Sequence, residues 1–133
     1  MQTRAEGWQD VTGLVGVYHA DGGIRGELRY AWSRLVHREH CSLCDTTHAG
    51  PVRRRAWDAL VARLPVPITL VHLDEQPDEV RRISTDRTPC VVALRAAADG
   101  GPVVVLDRAT IDPLGGDVLA FERALHEAVR ALP

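Results

Sequence analysis

Four short runs of β-branched and aliphatic residues, each closed by turn chemistry, constrain this chain more than any other feature of it. Leu14-Val15-Gly16-Val17-Tyr18-His19 runs into Ala20-Asp21-Gly22-Gly23. Ile68-Thr69-Leu70-Val71-His72-Leu73 follows Pro65 and Pro67 and exits at Asp74-Glu75. Val91-Val92-Ala93-Leu94 and Val103-Val104-Val105-Leu106 flank Asp99-Gly100-Gly101. Runs this short and this apolar, bounded by Gly, Pro and Asp, read as buried strands, and the last two as a hairpin. Helical spacing fills the gaps between them. Leu28, Ala31, Trp32 and Leu35, with Val36 beside them, share one face of a helix over about 26–37; Ala56, Trp57, Leu60, Val61 and Leu64 point inward from one over 52–64. A short helix is expected over 77–83, with Asp78 and Glu79 in its first turn where the helix dipole favours them. A last one spans about 117–132, with Val118, Phe121, Leu125, Ala128 and Leu132 in a stripe. The order is strand, helix, loop, helix, strand, short helix, hairpin, helix. The first two strands should pair parallel and the hairpin antiparallel, giving an α/β domain with a mixed sheet of about four strands and helices on both faces. No repeat or linker interrupts residues 1–133, so a single domain is expected.

Composition narrows the function classes. A chain of 133 residues with 45% hydrophobic and 26% charged residues can bury its own core without staples. A net charge of −2 gives no reason to expect nucleic acid as a partner. The basic run Arg53-Arg54-Arg55 opens a predicted helix and reads as a solvated face. All 16 basic residues are arginine, which rules out a Schiff-base lysine or a P-loop lysine and suggests GC-rich bacterial coding. The first residues carry no apolar signal core and no run reaches membrane-span length, so a cytoplasmic protein without membrane contact is expected. In that compartment three cysteines point to reduced thiols, metal binding or redox work rather than a disulfide framework.

The chemistry-bearing residues are concentrated in the non-periodic segment 38–51 and its flank, a loop by its lack of period. It reads His37-Arg38-Glu39-His40-Cys41-Ser42-Leu43-Cys44-Asp45-Thr46-Thr47-His48. A two-residue spacer folds Cys41 and Cys44 to the same side, so both sulfurs can reach one ion. His48, four residues beyond Cys44, and His37, four before Cys41, can complete a tetrahedron around a soft or borderline metal, zinc first. His40 adjoins Cys41 and is awkwardly placed as a fellow ligand. The same pair can instead cycle between dithiol and disulfide, with nearby imidazolium raising the thiolate fraction. That route wants Cys41 at a helix N-terminus, and the segment Asp45 to Pro51 separates the pair from the next predicted helix. A third reading leaves the cysteines as reduced structural thiols.

The second half of the chain resembles the thioredoxin-like superfamily. Val71-His72-Leu73-Asp74-Glu75-Gln76-Pro77, a short helix, and then Thr88-Pro89-Cys90-Val91-Val92 are similar to that family's strand, helix and Pro-initiated strand. The closing hairpin and terminal helix follow in order. The resemblance covers residues 68–132, with Val15 to His19 as the preceding central strand. It implies a cis Pro89 beside an active site, and an X-Pro bond at a strand's first residue independently fits one. It also implies a Cys pair directly after the central strand, where this chain has Ala20-Asp21-Gly22-Gly23-Ile24; its CxxC comes beyond a further predicted helix.

The leading expectation is therefore a small thioredoxin-like domain with an inserted Cys/His loop that holds a metal, most simply zinc, on Cys41, Cys44, His48 and His37. A thiol–disulfide oxidoreductase using Cys41 and Cys44, with a small-molecule or protein thiol as partner, is the alternative. A binding or regulatory module without chemistry is the third. Tyr18, His19, Asp21, Pro89 and Cys90 are candidates for a pocket at the carboxyl end of the first strand, where open α/β sheets bind ligands.

Overall fold

A computed structural model describes residues 7–19, 41–49 and 52–133. It is an α/β fold whose described residues hold a four-stranded mixed sheet and five α-helices. Strand β1 (Gly13–Val17) is followed by helix α1 (Ser42–Thr47), the two-residue strands β2 (His48–Ala49) and β3 (Val52–Arg53), and helix α2 (Arg55–Arg63). Then come β4 (Ile68–Val71), α3 (Asp78–Ser84), β5 (Cys90–Leu94), β6 (Val103–Leu106), α4 (Arg108–Ile111) and α5 (Val118–Arg130).

The sheet runs in the order β4-β1-β5-β6. Strand β1 pairs parallel with β4, Leu14 opposite Ile68, and antiparallel with β5, Val17 opposite Cys90. With a neighbour on each side and both faces covered, all five residues of β1 are buried, which is why it reads as a continuous apolar run rather than an alternating one. Strands β5 and β6 form the expected antiparallel hairpin.

Alternation along the strands divides the core in two. Leu14, Val91 and Ala93 join Leu43 of α1, Trp57 and Leu60 of α2, and Phe121, Leu125 and Val129 of α5 in the larger cluster. Val15, Val17, Cys90 and Val92 join Val80 of α3 in the smaller. Each fully buried Leu or Phe contributes roughly 1.5–3 kcal/mol relative to exposure. Helix α5 buries Val118, Phe121, Leu125 and Val129, and Asp117 caps it by accepting the Ala120 N–H at 3.1 Å. The Trp57 ring meets Phe121 edge-on at 5.6 Å, and Arg63 reaches Glu122 at 2.7 Å, tying α2 to α5. Trp57 points inward as its helical spacing predicts, and Trp8 is buried with it in the larger cluster.

Two glycines set close approaches. A Cβ on Gly16 would lie 2.8 Å from Leu70 and 3.5 Å from Leu43, so the bare backbone is what lets both leucines pack over β1. Gly7, at φ +87°, sits against the end of α5; a Cβ there would meet the Val129 carbonyl oxygen at 2.3 Å. That contact delivers Trp8 to α5, where its Nε1–H donates to His126 Nδ1 at 3.2 Å.

Several expectations change. Segment 38–51 is not a loop throughout: residues 42–47 are helix α1, and 48–49 pair with 52–53. Helix α2 consequently starts at Arg55 rather than at 52, and Ala56 faces outward while Trp57 and Leu60 are buried. The strand after Pro67 ends at Val71, because His72 caps a 3-10 turn over Leu73–Glu75. The helix expected over 26–37, with Trp32, His37, His40 and the turn at Asp21, lies outside the described residues.

Candidate functional site

The β1–β5 register builds the site. Val17 opposite Cys90 carries the pairing on past β1 to set His19 beside Thr88. There the His19 ring Nδ1 and the Thr88 hydroxyl are hydrogen-bonded at 2.8 Å. The peptide bond from Thr88 to Pro89 is cis, as the sequence led one to expect. The Thr88 carbonyl accepts from Arg108 Nε at 2.6 Å, which fixes this corner to α4.

Cys41 comes to the same corner. It is the N-cap of α1, in extended conformation, and its Sγ accepts the Cys44 backbone N–H at 3.4 Å. The same sulfur accepts the His19 N–H at 3.3 Å. A residue 22 positions later in the chain thus sits at the carboxyl end of β1. The sequence set the pair apart from the next predicted helix by residues 45–51; the structure instead gives it a helix of its own, with Cys41 as the N-cap of α1 and Cys44 in its first turn. A helix of six residues shows no amphipathic period, which is why the segment looked irregular in sequence.

Polar residues anchor α1, each with its partner. Ser42 Oγ donates to Asp112 Oδ1 at 2.5 Å, Thr46 Oγ1 to the Ser42 carbonyl at 2.9 Å, and Thr47 Oγ1 to the Cys44 carbonyl at 3.3 Å. Arg54 Nε donates to the Asp45 carbonyl at 2.9 Å. Such side-chain bonds are what allow Ser42, Thr46 and Thr47 to be buried. Around the helix stands an aromatic group that includes Tyr18, whose hydroxyl bonds the Thr47 hydroxyl at 2.9 Å; Thr47 in turn meets His48 Nδ1 at 2.6 Å. The Tyr18 ring lies 5.2 Å from His72 and 6.2 Å from His48. His72 is held by Glu75, ring Nδ1 to Oε1 at 2.6 Å, and the His72 backbone N–H and ring together pull the Glu75 carboxyl below its usual value. Thr47 was not singled out from sequence, and His72 and Thr88 entered there only as a polar strand position and as part of the proline motif. For Thr47 the usable signal was the spacing of Thr46 and Thr47 from Ser42 and Cys44, which suits hydroxyl-to-carbonyl bonds within one turn.

The thiols differ sharply. Cys41 is fully buried and Cys44 half-buried. The Cys41 thiol is held below its ordinary value, chiefly by a hydrogen bond with the Cys44 side chain; burial opposes this, and the backbone N–H groups of His19, Cys44 and Leu43 reinforce it. Cys90 does not join the pocket expected for it. It faces the opposite side of the sheet, among Val15, Val17, Val80 and Val92, where burial pushes its thiol up to about 11.

Of the expected metal ligands, His37 lies outside the described residues and His48 is engaged with Thr47. Among the described residues no three His, Cys, Asp or Glu side chains are grouped so as to hold one ion. No helix among them is long and apolar enough to cross a membrane. Comparison with family models, with curated proteins and with solved structures finds no match for this chain.

Proposed function

We propose that this chain is a thioredoxin-like thiol–disulfide oxidoreductase, with helices on both faces of its sheet and with Cys41 and Cys44 as the exchanging pair. The observation that carries the reading is the Cys41 sulfur, buried at the carboxyl end of β1 and accepting two backbone N–H groups, one from His19 and one from Cys44. Hydrogen bonds to the ionised form favour it, so this sulfur is the group best able to carry negative charge between exchange steps. The strand order, with a parallel first pair and an antiparallel hairpin, supports the family resemblance. On this reading the 21 residues between His19 and Cys41 are an insertion between the central strand and its dithiol helix.

The chemistry is thiolate attack on a disulfide. One S–S bond forms as another breaks, and the electron pair leaves on a sulfur able to hold it. His19 and Thr88 would hold the cis-proline corner against the dithiol turn, and a thiol compound would be the partner.

Equilibration in glutathione redox buffers tests the proposal. The wild-type protein is expected to form a reversible Cys41–Cys44 disulfide, assigned by peptide mapping and abolished in both Cys41→Ser and Cys44→Ser. Near-stoichiometric metal in protein purified without added zinc, lost in Cys44→Ser and accompanied by no such disulfide, would replace this reading with the Cys41, Cys44, His48 and His37 metal site.

A further inference from the structure

We propose that Cys44, and not Cys41, is the sulfur that a partner attacks and to which it becomes linked, with Cys41 as the internal leaving group. The inference rests on the redox reading above and concerns the polarity of the pair. Exchange requires three sulfurs nearly in line, the incoming one approaching opposite the one that leaves. Cys41 has none of its surface exposed and packs in the larger core cluster with Leu43 and Tyr18. Its sulfur is also occupied by the His19 and Cys44 N–H groups. An external sulfur reaching Cys41 would have to displace packed side chains. Cys44 packs against the same cluster but keeps part of its surface exposed, so of the two it is the residue that an external thiolate can approach without displacing the core.

Energetics point the same way. Of two sulfurs in a disulfide, the one whose thiolate is better stabilised departs faster. The two N–H donors are fixed before any reaction occurs, so they favour negative charge on Cys41 at the moment the bond breaks. The direction of the Cys41 thiol's shift agrees with this.

The cycle balances as follows. A partner thiolate attacks Cys44 Sγ of the oxidised pair; the Cys41–Cys44 bond breaks and its electron pair stays on Cys41. A second thiolate then attacks the partner sulfur of the mixed disulfide, and Cys44 departs and takes a proton from water. Two thiols have become one disulfide, and the protein pair has gained two electrons. Stabilising the reduced form in this manner makes the pair an oxidant of thiols, with another disulfide, of the glutathione disulfide type, needed to restore it.

The test uses glutathione as probe. Reduced Cys41→Ser and Cys44→Ser proteins are each treated with glutathione disulfide, quenched with acid and mapped by mass spectrometry. Serine is a good N-cap and Cys44 is half-buried, so both variants should fold, and thermal melts check that they do. Cys41→Ser is expected to take up one glutathione on Cys44 at least about tenfold faster than Cys44→Ser takes it up on Cys41, the size set by the difference in access. In the wild type, oxidised protein quenched during reaction with reduced glutathione should carry the adduct on Cys44. A faster adduct on Cys41, in the variants or the wild type, overturns the polarity while leaving the redox reading standing. A wild-type protein that never forms the Cys41–Cys44 bond overturns both.

Discussion

Cys41 and Cys90 make an instructive pair. Both are wholly buried, both sit at the same end of the sheet, and they lie on opposite faces of it, yet their thiols shift in opposite directions. Around Cys90 the neighbours are valines, and desolvation has nothing to offset it beyond the charge of Arg87. Around Cys41 the Cys44 side chain and fixed backbone N–H groups outweigh the same penalty. Burial by itself therefore does not make a cysteine inert. What decides is whether the fold directs hydrogen-bond donors at the sulfur, here the Cys44 side chain first and then backbone N–H groups.

Removing each sulfur separates the two roles most strongly. Cys41→Ala deletes an N-cap and leaves the His19 and Cys44 N–H groups without their acceptor, so a loss of about 3 kcal/mol is expected. Cys90→Ala deletes one apolar-packed atom and should cost about 1 kcal/mol. Urea unfolding of the reduced proteins measures both. Equal losses would mean that the Cys41 hydrogen bonds contribute nothing, and the contrast would fail. Cys41→Ser, which keeps an acceptor at the cap, should recover most of the difference.

The contrast also has a signature in pH. For Cys41, whose folded value is lowered, the unfolded chain binds more protons between the folded value and the unfolded value of about 8.5, so the reduced protein gains stability as pH rises through that window. For Cys90, whose folded value is raised to about 11, the native state keeps its proton while the unfolded state loses it, so stability falls as pH rises from about 8.5 toward 11. Either limb has a slope of at most about 1.4 kcal/mol per pH unit. The curve of Cys41→Ser should lack the rising limb, and that of Cys90→Ala the falling one. A falling limb that survives Cys90→Ala would assign it to another group.

How far such a site can be read from sequence depends on where its determinants lie. The four strands of the sheet are legible because each is a short apolar run closed by turn residues, and α5 because Val118, Phe121 and Leu125 recur at helical spacing. The Thr88–Pro89 corner is legible from the resemblance together with a local reason, a proline at the entrance of a strand. Even the face of Cys90 was open to a parity argument, since it pairs with Val17 and alternates with Val91, which points to the other cluster. Helix α1 was not legible. Its six residues carry no period, and beside Leu43 its buried face is built from Ser42, Thr46 and Thr47, whose hydroxyls find partners only once the chain has folded. Nor does any local pattern bring Cys41 back to His19 across 22 positions; that closure depends on Leu43 packing over Gly16.

The smallest expected effect asks what keeps the donor in place. The His19 N–H serves Cys41 only while the strand end is held, and the His19 ring holds it by its bond to the Thr88 hydroxyl. His19→Ala keeps the backbone donor but removes that tether, so a loss of about 1 kcal/mol is expected together with a Cys41 thiol moved up toward its ordinary value. His19→Asn, able to bond Thr88 again, should restore the thiol in part. Thiolate absorbance followed against pH in Cys44→Ser backgrounds reads the shift directly. If His19→Ala weakens the fold while the Cys41 titration stays where it was, the strand end needs no tether, and the donors at Cys41 are set by α1 and the sheet alone.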